Sequence, residues 1–224
     1  MDSLKAIFEG PFVHGFLFVA LALFPIVNPP GMAPIFLNYT EGLDDSTTTW
    51  LARRISMNAF VLATASLIIG PYALRFFGLS LPAVQIAGGL LLATAGWRLL
   101  SKGQEDSAHR APAASLEAVK SGAFYPLTLP LTFGPGSIAV MITLGSSLPD
   151  MPGGQALLNA AGAIVGLAAT CVTIFICYSQ AVRILRWLGN SGAIVLQRLS
   201  AFILLCIGVQ IAIDGYRGLV PIHP

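Results

Sequence analysis

Five stretches of this chain run for 20 residues or more without an Asp, Glu, Lys or Arg: 10–40, 55–74, 76–97, 121–149 and 151–182. A sixth, 199–213, lengthens if Arg198 and Asp214 reach outward toward lipid headgroups. About 20 apolar residues cross a hydrocarbon core roughly 30 Å thick. Inside that core the backbone must satisfy its own polar groups, which restricts a spanning segment to a helix or a closed barrel. Runs of this length predict helices. The expected class is an all-α membrane protein with six transmembrane helices, at about 12–39, 55–74, 81–100, 122–147, 157–182 and 192–216. Composition agrees. Of 224 residues 10% are charged and 55% hydrophobic, with a mean hydropathy of +0.78. Soluble domains carry roughly 25% charged residues. A net charge of +2 gives no reason to expect a nucleic-acid partner. The three cysteines fall in apolar stretches and read as free buried thiols.

The first ten residues hold one Lys and two acids, and no small-residue cleavage site follows, so the first span is expected to stay in the protein. Lys and Arg set the orientation. Lys5, Arg75 and Arg217 share one side. Arg53, Arg54, Arg98, Lys102, Arg110, Lys120, Arg183, Arg186 and Arg198 share the other. The richer side is cytoplasmic, which places both termini outside. Trp50, Trp97 and Trp187 neighbour arginines of the richer side, where indoles favour the interface. The polar segment 101–120 reads as a cytoplasmic linker between two three-helix halves, about 10–100 and 121–217, of a single membrane domain.

Spans one and four share an oddity. The first contains Pro25, Asn28, Pro29, Pro30, Gly31 and Pro34; the fourth contains Pro130, Thr132, Gly134, Pro135, Gly136 and Ser137. Each proline removes a backbone donor and clashes with the preceding turn. Both spans are therefore predicted to be broken or re-entrant. At an offset of 105, Pro25 meets Pro130, Pro30 meets Pro135 and Gly31 meets Gly136. At an offset of 112, Gln85 meets Gln197, Leu92 meets Leu204 and Gly96 meets Gly208. These matches imply a duplicated three-helix unit. Three is odd, so the second copy enters the membrane upside down, as in many secondary transporters.

Broken helices at membrane depth line a cavity or lie buried in protein. A half-helix N-terminus offers N–H groups and a partial positive charge to an anion. Unwound carbonyls beside it suit a cation or an ammonium group. Asn28 before Pro29 is a start signal, the Asn as cap and the Pro at the first helical position. Gly134 before Pro135 is a second. Gly31, Gly134 and Gly136 allow close approach to the backbone. A packing role for the same residues is the competing reading. The expected substrate site is Asn28, Pro29, Pro30, Gly31, Thr132, Gly134, Pro135, Gly136 and Ser137, with Gln85, Gln197 and Gln210 in its walls.

At these residues the chain resembles the MarC family of bacterial inner-membrane proteins. The marks are Asn28-Pro29-Pro30-Gly31, the run Gln85-Ile86-Ala87-Gly88-Gly89-Leu90, Pro126-Leu127-Thr128-Leu129-Pro130 followed by Gly134-Pro135-Gly136-Ser137, and Gln197-Arg198-Leu199 with Gly208-Val209-Gln210. Pro30 stands where the family usually has Ile or Leu. The resemblance implies six spans, a multi-pass place in the inner membrane, kinship with LysE-type exporters, and transport of small neutral amino acids such as alanine, glycine or serine. A zwitterion at a neutral site fits half-helix N–H groups and unwound carbonyls without a charged side chain.

Asp214 sits three residues before Arg217; a helical ion pair is one reading and a carboxylate coupling transport to sodium or protons the other. His14 reads as scaffold near the outer end of span one. No enzyme is expected, because His14, His109 and His223 lack metal-ligand spacing. No cofactor is expected either, and Cys171, Cys177 and Cys206 are not placed at the breaks, as a thiol relay would need. The rival classes are a regulatory or structural membrane protein without transport, an exporter of another small solute, and a channel. A homo-oligomer is compatible with every reading.

Overall fold

The computed structural model describes residues 10–101, 122–147 and 155–219. The expected linker beyond Ser101, together with Lys5, His109 and His223, lies outside the described residues. Eight helical elements follow in order: α1 Pro11–Val27, α2 Pro29–Tyr39, α3 Asp45–Phe77, α4 Leu81–Ser101, α5 Ala123–Thr132, α6 Pro135–Ser147, α7 Gln155–Ser179 and α8 Ala181–Leu219. No strand occurs among the described residues. Helices α3, α4, α7 and the 191–219 part of α8 are each long and apolar enough to cross a membrane alone. The pairs α1–α2 and α5–α6 are long and apolar enough only together, bent by 42° and 69° at a broken span or re-entrant loop. Four single helices and up to two such pairs fit the expected six spans.

Local chemistry sets the ends. Asp44 caps α3: its carboxylate accepts the Thr47 N–H at 3.1 Å and the Ser46 and Thr47 hydroxyls. Gly78 closes the same helix at φ +66°, a left-handed conformation that costs glycine nothing. At 33 residues α3 is about 50 Å long, so its arginine-bearing first turns extend past the hydrocarbon. Helix α8 is two helices in one. Gly189 at φ +65° separates a short segment carrying Arg183, Arg186 and Trp187 from the spanning part. In the sequence, 183–191 falls between the expected spans five and six; it is helical up to the break at Gly189.

Lipid is as apolar as leucine, so helices associate in it through close packing and not through exclusion from water. Small residues permit that approach. The pairing is α1 with α7, α3 with α6, and α4 with α8. In span numbers these are one with five, two with four and three with six, a set that maps onto itself when the halves are exchanged. The α4–α8 crossing shows the exchange in detail. A methyl group added at Gly96 would fall 2.8 Å from Ala201 O and 3.0 Å from Leu205 Cα. One added at Gly208 would fall 2.7 Å from Gly89 O and 2.8 Å from Ala93 Cα. Subtracting 112 from the first set gives the second. Contact numbers fall along α8 as they rise along α4, so these equivalent helices run antiparallel and the halves are inverted.

Most hydroxyls within the spans satisfy themselves on a carbonyl one turn back. Ser66 donates to Leu62, Thr94 to Leu90 and Thr170 to Gly166, at 2.8, 2.7 and 3.0 Å. Ser56 Oγ and Thr64 Oγ1 are buried without a partner among the described residues. Cys171 and Cys177 are buried free thiols; Cys206 is exposed on α8, unlike the sequence expectation, because it faces away from the α4 crossing.

Candidate functional site: two broken helices between two cavities

The first break is one residue wide. Asn28 ends α1 and starts α2 at φ +48° and ψ +58°. It is the only described non-glycine residue at positive φ. Its N–H donates to Phe24 O at 2.8 Å, its Oδ1 accepts the Gly31 N–H at 3.3 Å, and its carbonyl accepts the Met32 N–H at 3.1 Å. Pro29 occupies the first helical position, where no N–H is needed. Asparagine tolerates the left-handed region because its short amide bonds locally.

The second break is spread over ten residues. Pro126 and Pro130 interrupt α5, which winds as a π-helix with extended backbone at Tyr125 and Leu129. Both X–Pro bonds, Tyr125–Pro126 and Leu129–Pro130, are cis. Threonine hydroxyls take up carbonyls five residues back: Thr128 to Ala123 at 2.6 Å and Thr132 to Leu127 at 2.7 Å. The Phe133 N–H bonds Thr128 O at 2.8 Å. Asn58 of α3 donates to the Thr128 hydroxyl at 3.4 Å. Gly134 then opens α6 with Pro135 first, and the Ile138 N–H returns to Gly134 O at 3.1 Å.

The broken spans touch on both sides of their breaks, α1 against α6 and α2 against α5. Tyr178 of α7 ties them together. Its ring stacks on Phe36 of α2 at 4.5 Å between centroids, and its hydroxyl meets Thr132 Oγ1 at 3.0 Å. Thr132 and Ser137 are buried, Asn28 and Gly134 half-buried, and Pro135 exposed. At Gly31 and Gly136 the close approach is made by protein. An added methyl would fall 2.7 Å from Ser200 Oγ at Gly31, and 3.0 Å from Leu92 Cβ and 3.4 Å from Gly88 O at Gly136. Ser200 and Gly88 are again 112 apart. At Gly134 the nearest such contact is Pro130 O at 3.1 Å, the loosest of the three.

Two cavities flank the breaks. One, of about 290 Å3, lies between Pro25 and Ile26 of α1, Gln85 of α4, Thr143 and Leu144 of α6 and Asp214 of α8. The other, of about 720 Å3, lies at the opposite end, between the α2–α3 loop and the α7–α8 corner, with Tyr178 in its lining. Neither lining includes Asn28, Gly31, Thr132, Gly134, Gly136 or Ser137. Of the expected wall residues, Gln85 reaches the smaller cavity. Gln197 lies half-buried on α8. Gln210 is exposed and donates to Asp214 Oδ1 at 2.9 Å; Arg217 stands 3.9 Å from the same oxygen. His14 faces buried Asn159 at 3.5 Å and stacks on Phe18. Sequence reasoning passed over Tyr178, Asn58 and Ser200, and met Thr128 only as part of the Pro126–Pro130 run. Of these Asn58 had a signal, an amide inside a charge-free span. The other three are small hydroxyls or an aromatic, residue types that are ordinary in any span.

A polytopic helical membrane protein emerges, built as two inverted three-helix halves, each with its first span broken and the breaks enclosed between separate cavities. The chain belongs to the MarC family: the model of the MarC family integral membrane protein matches residues 13–220. The UPF0056 inner membrane protein MarC of Salmonella typhimurium is 31% identical, covering 96% of each chain. The UPF0056 membrane protein of Archaeoglobus fulgidus is 33% identical over 86% of this chain and 88% of its own. That of Methanocaldococcus jannaschii is 30% identical over 91% and 96%. No solved structure matches the chain.

Proposed function

We propose that the protein is a secondary carrier that exports small neutral amino acids (alanine, glycine or serine) across the inner membrane, with the substrate held at the breaks of spans one and four. The reading rests on one observation: two touching helix breaks lie between cavities at opposite ends of the bundle, and neither cavity includes them. A solute that crosses by this route must pass the breaks. The α6 N-terminus begins at Gly134, which has no side chain to cap it, and its partial positive end suits a carboxylate. Backbone carbonyls freed by Pro126 and Pro130 suit an ammonium group. No enzymatic step is involved. Arg53, Arg54, Arg98, Arg183, Arg186 and Arg198 belong to the cytoplasmic end, which leaves both termini periplasmic. Asp214 lines the smaller cavity and pairs with Arg217 at 3.9 Å; it is the candidate for coupling to sodium or protons, with the ion pair as the structural alternative.

Counterflow tests this. Proteoliposomes preloaded with alanine, glycine or serine should accumulate labelled alanine, with and without a sodium or proton gradient. Asn28→Asp keeps an acceptor for the Gly31 N–H but adds a negative charge at the break. It should lower counterflow by about tenfold or more, because a like charge opposes the substrate carboxylate. Absence of counterflow with all three solutes, from protein that elutes as a folded species, overturns the reading.

A further inference from the structure

The larger cavity carries opposite charges on opposite walls. Arg183 and Arg186 line it from the first two turns of α8; Glu41 and Asp45 line it from the α2–α3 loop and the start of α3. Among the described residues the one ion pair within 4.0 Å is Asp214–Arg217, at the other end of the bundle. The four charges therefore face one another across about 720 Å3 without closing into pairs. The α7 C-terminus and the α8 N-terminus meet at the arginine wall, so their dipoles oppose and the two arginines set its charge. On the other wall Asp44 spends its carboxylate on the α3 N-terminus, which holds its pKa well below the carboxylate range through bonds from Ser46 and Thr47. Glu41 and Asp45 remain to face the cavity, and Tyr178, bonded to Thr132 of the second break, also lines it.

We propose that this cavity is a capture site for a small zwitterion, its carboxylate toward Arg183 and Arg186 and its ammonium group toward Glu41 and Asp45. A singly charged solute meets attraction from one wall and repulsion from the other. Charges this accessible to water bind weakly one at a time, so the site selects by pattern more than by strength. The proposal adds a capture step to the carrier reading and rests on that reading only for where the solute goes next.

The test uses full-length purified protein in the Asn28→Asp background, in which binding at the breaks is weakened, and compares each cavity variant with that background. Labelled alanine is bound, then displaced with unlabelled alanine, propionate or ethylammonium. Alanine should displace about tenfold better than either half-molecule. Arg183→Gln with Arg186→Gln should weaken alanine about tenfold and stop propionate competing, while ethylammonium still competes. Glu41→Gln with Asp45→Asn should give the mirror image. Two variants that lose opposite halves cannot both be explained by misfolding. Unchanged alanine binding in both pairs, or equal competition by all three solutes, overturns the capture site. Counterflow is read separately. The mirrored pattern without flux removes the carrier and leaves the cavity; flux and alanine binding both unchanged in the two pairs remove the cavity and leave the carrier.

Discussion

The two breaks occupy equivalent places in a duplicated unit, yet they are made differently. The first is a single left-handed residue whose own amide caps the helix that follows, with a bend of 42°. The second is a widened, twice-interrupted helix with a bend of 69°, patched by threonine hydroxyls and held by Tyr178. A carboxamide fills its helix end; glycine does not. Of the two half-helix pairs, the first is self-sufficient and the second has a bare N-terminus. The second break therefore leaves a helix N-terminus that no side chain of its own caps.

Removing Tyr178 should separate the two most sharply. Tyr178→Ala empties a buried site and should cost about 3–5 kcal/mol by denaturant unfolding in detergent. Tyr178→Phe keeps the stacking on Phe36 and gives up only the hydroxyl contact with Thr132, at about 1 kcal/mol. Equal costs would mean that the ring, and not the hydroxyl link to the second break, carries nothing special. The symmetry of the halves is open to a finer test. Gly96→Ala and Gly208→Ala meet equivalent backbone atoms, so each should cost about 1–3 kcal/mol and the two should match within about 0.5 kcal/mol. A clear inequality would break the equivalence of the halves at their crossing. The smallest effect is the pH dependence of a third cap. Asp44, unlike Asn28, titrates. Its folded pKa lies below the ordinary value, so its contribution is complete above about pH 4 and is lost as pH falls through the lowered folded value. Asp44→Asn should flatten the acid limb of a melting-temperature profile, and Asn28→Ala should leave that limb unchanged.

Much of this was legible in the residues. Charge-free runs marked six spans because burying a charge in hydrocarbon is costly. Asn28-Pro29 marked the first break to the residue because caps and first-turn prolines have local causes. The offset of 112 found Gly96 and Gly208 because close backbone crossings admit nothing larger. What stayed hidden depends on the third dimension. Tyr178 is one aromatic among many in apolar runs until Phe36 and Thr132 are beside it. The widened α5 follows from how two prolines and two threonines share carbonyls, which spacing alone does not reveal. The larger cavity joins residues 37–49 to 178–186, a pairing that no local pattern encodes.

The α4–α8 crossing has a mechanical consequence. Interlocked side chains resist sliding, because each must leave its hole before the next position opens. Here glycines lie directly on the opposing backbone, at mirrored positions of both helices, so the contact is smooth. Any side chain larger than hydrogen at these positions would push the two helices apart, and with them the two halves they join.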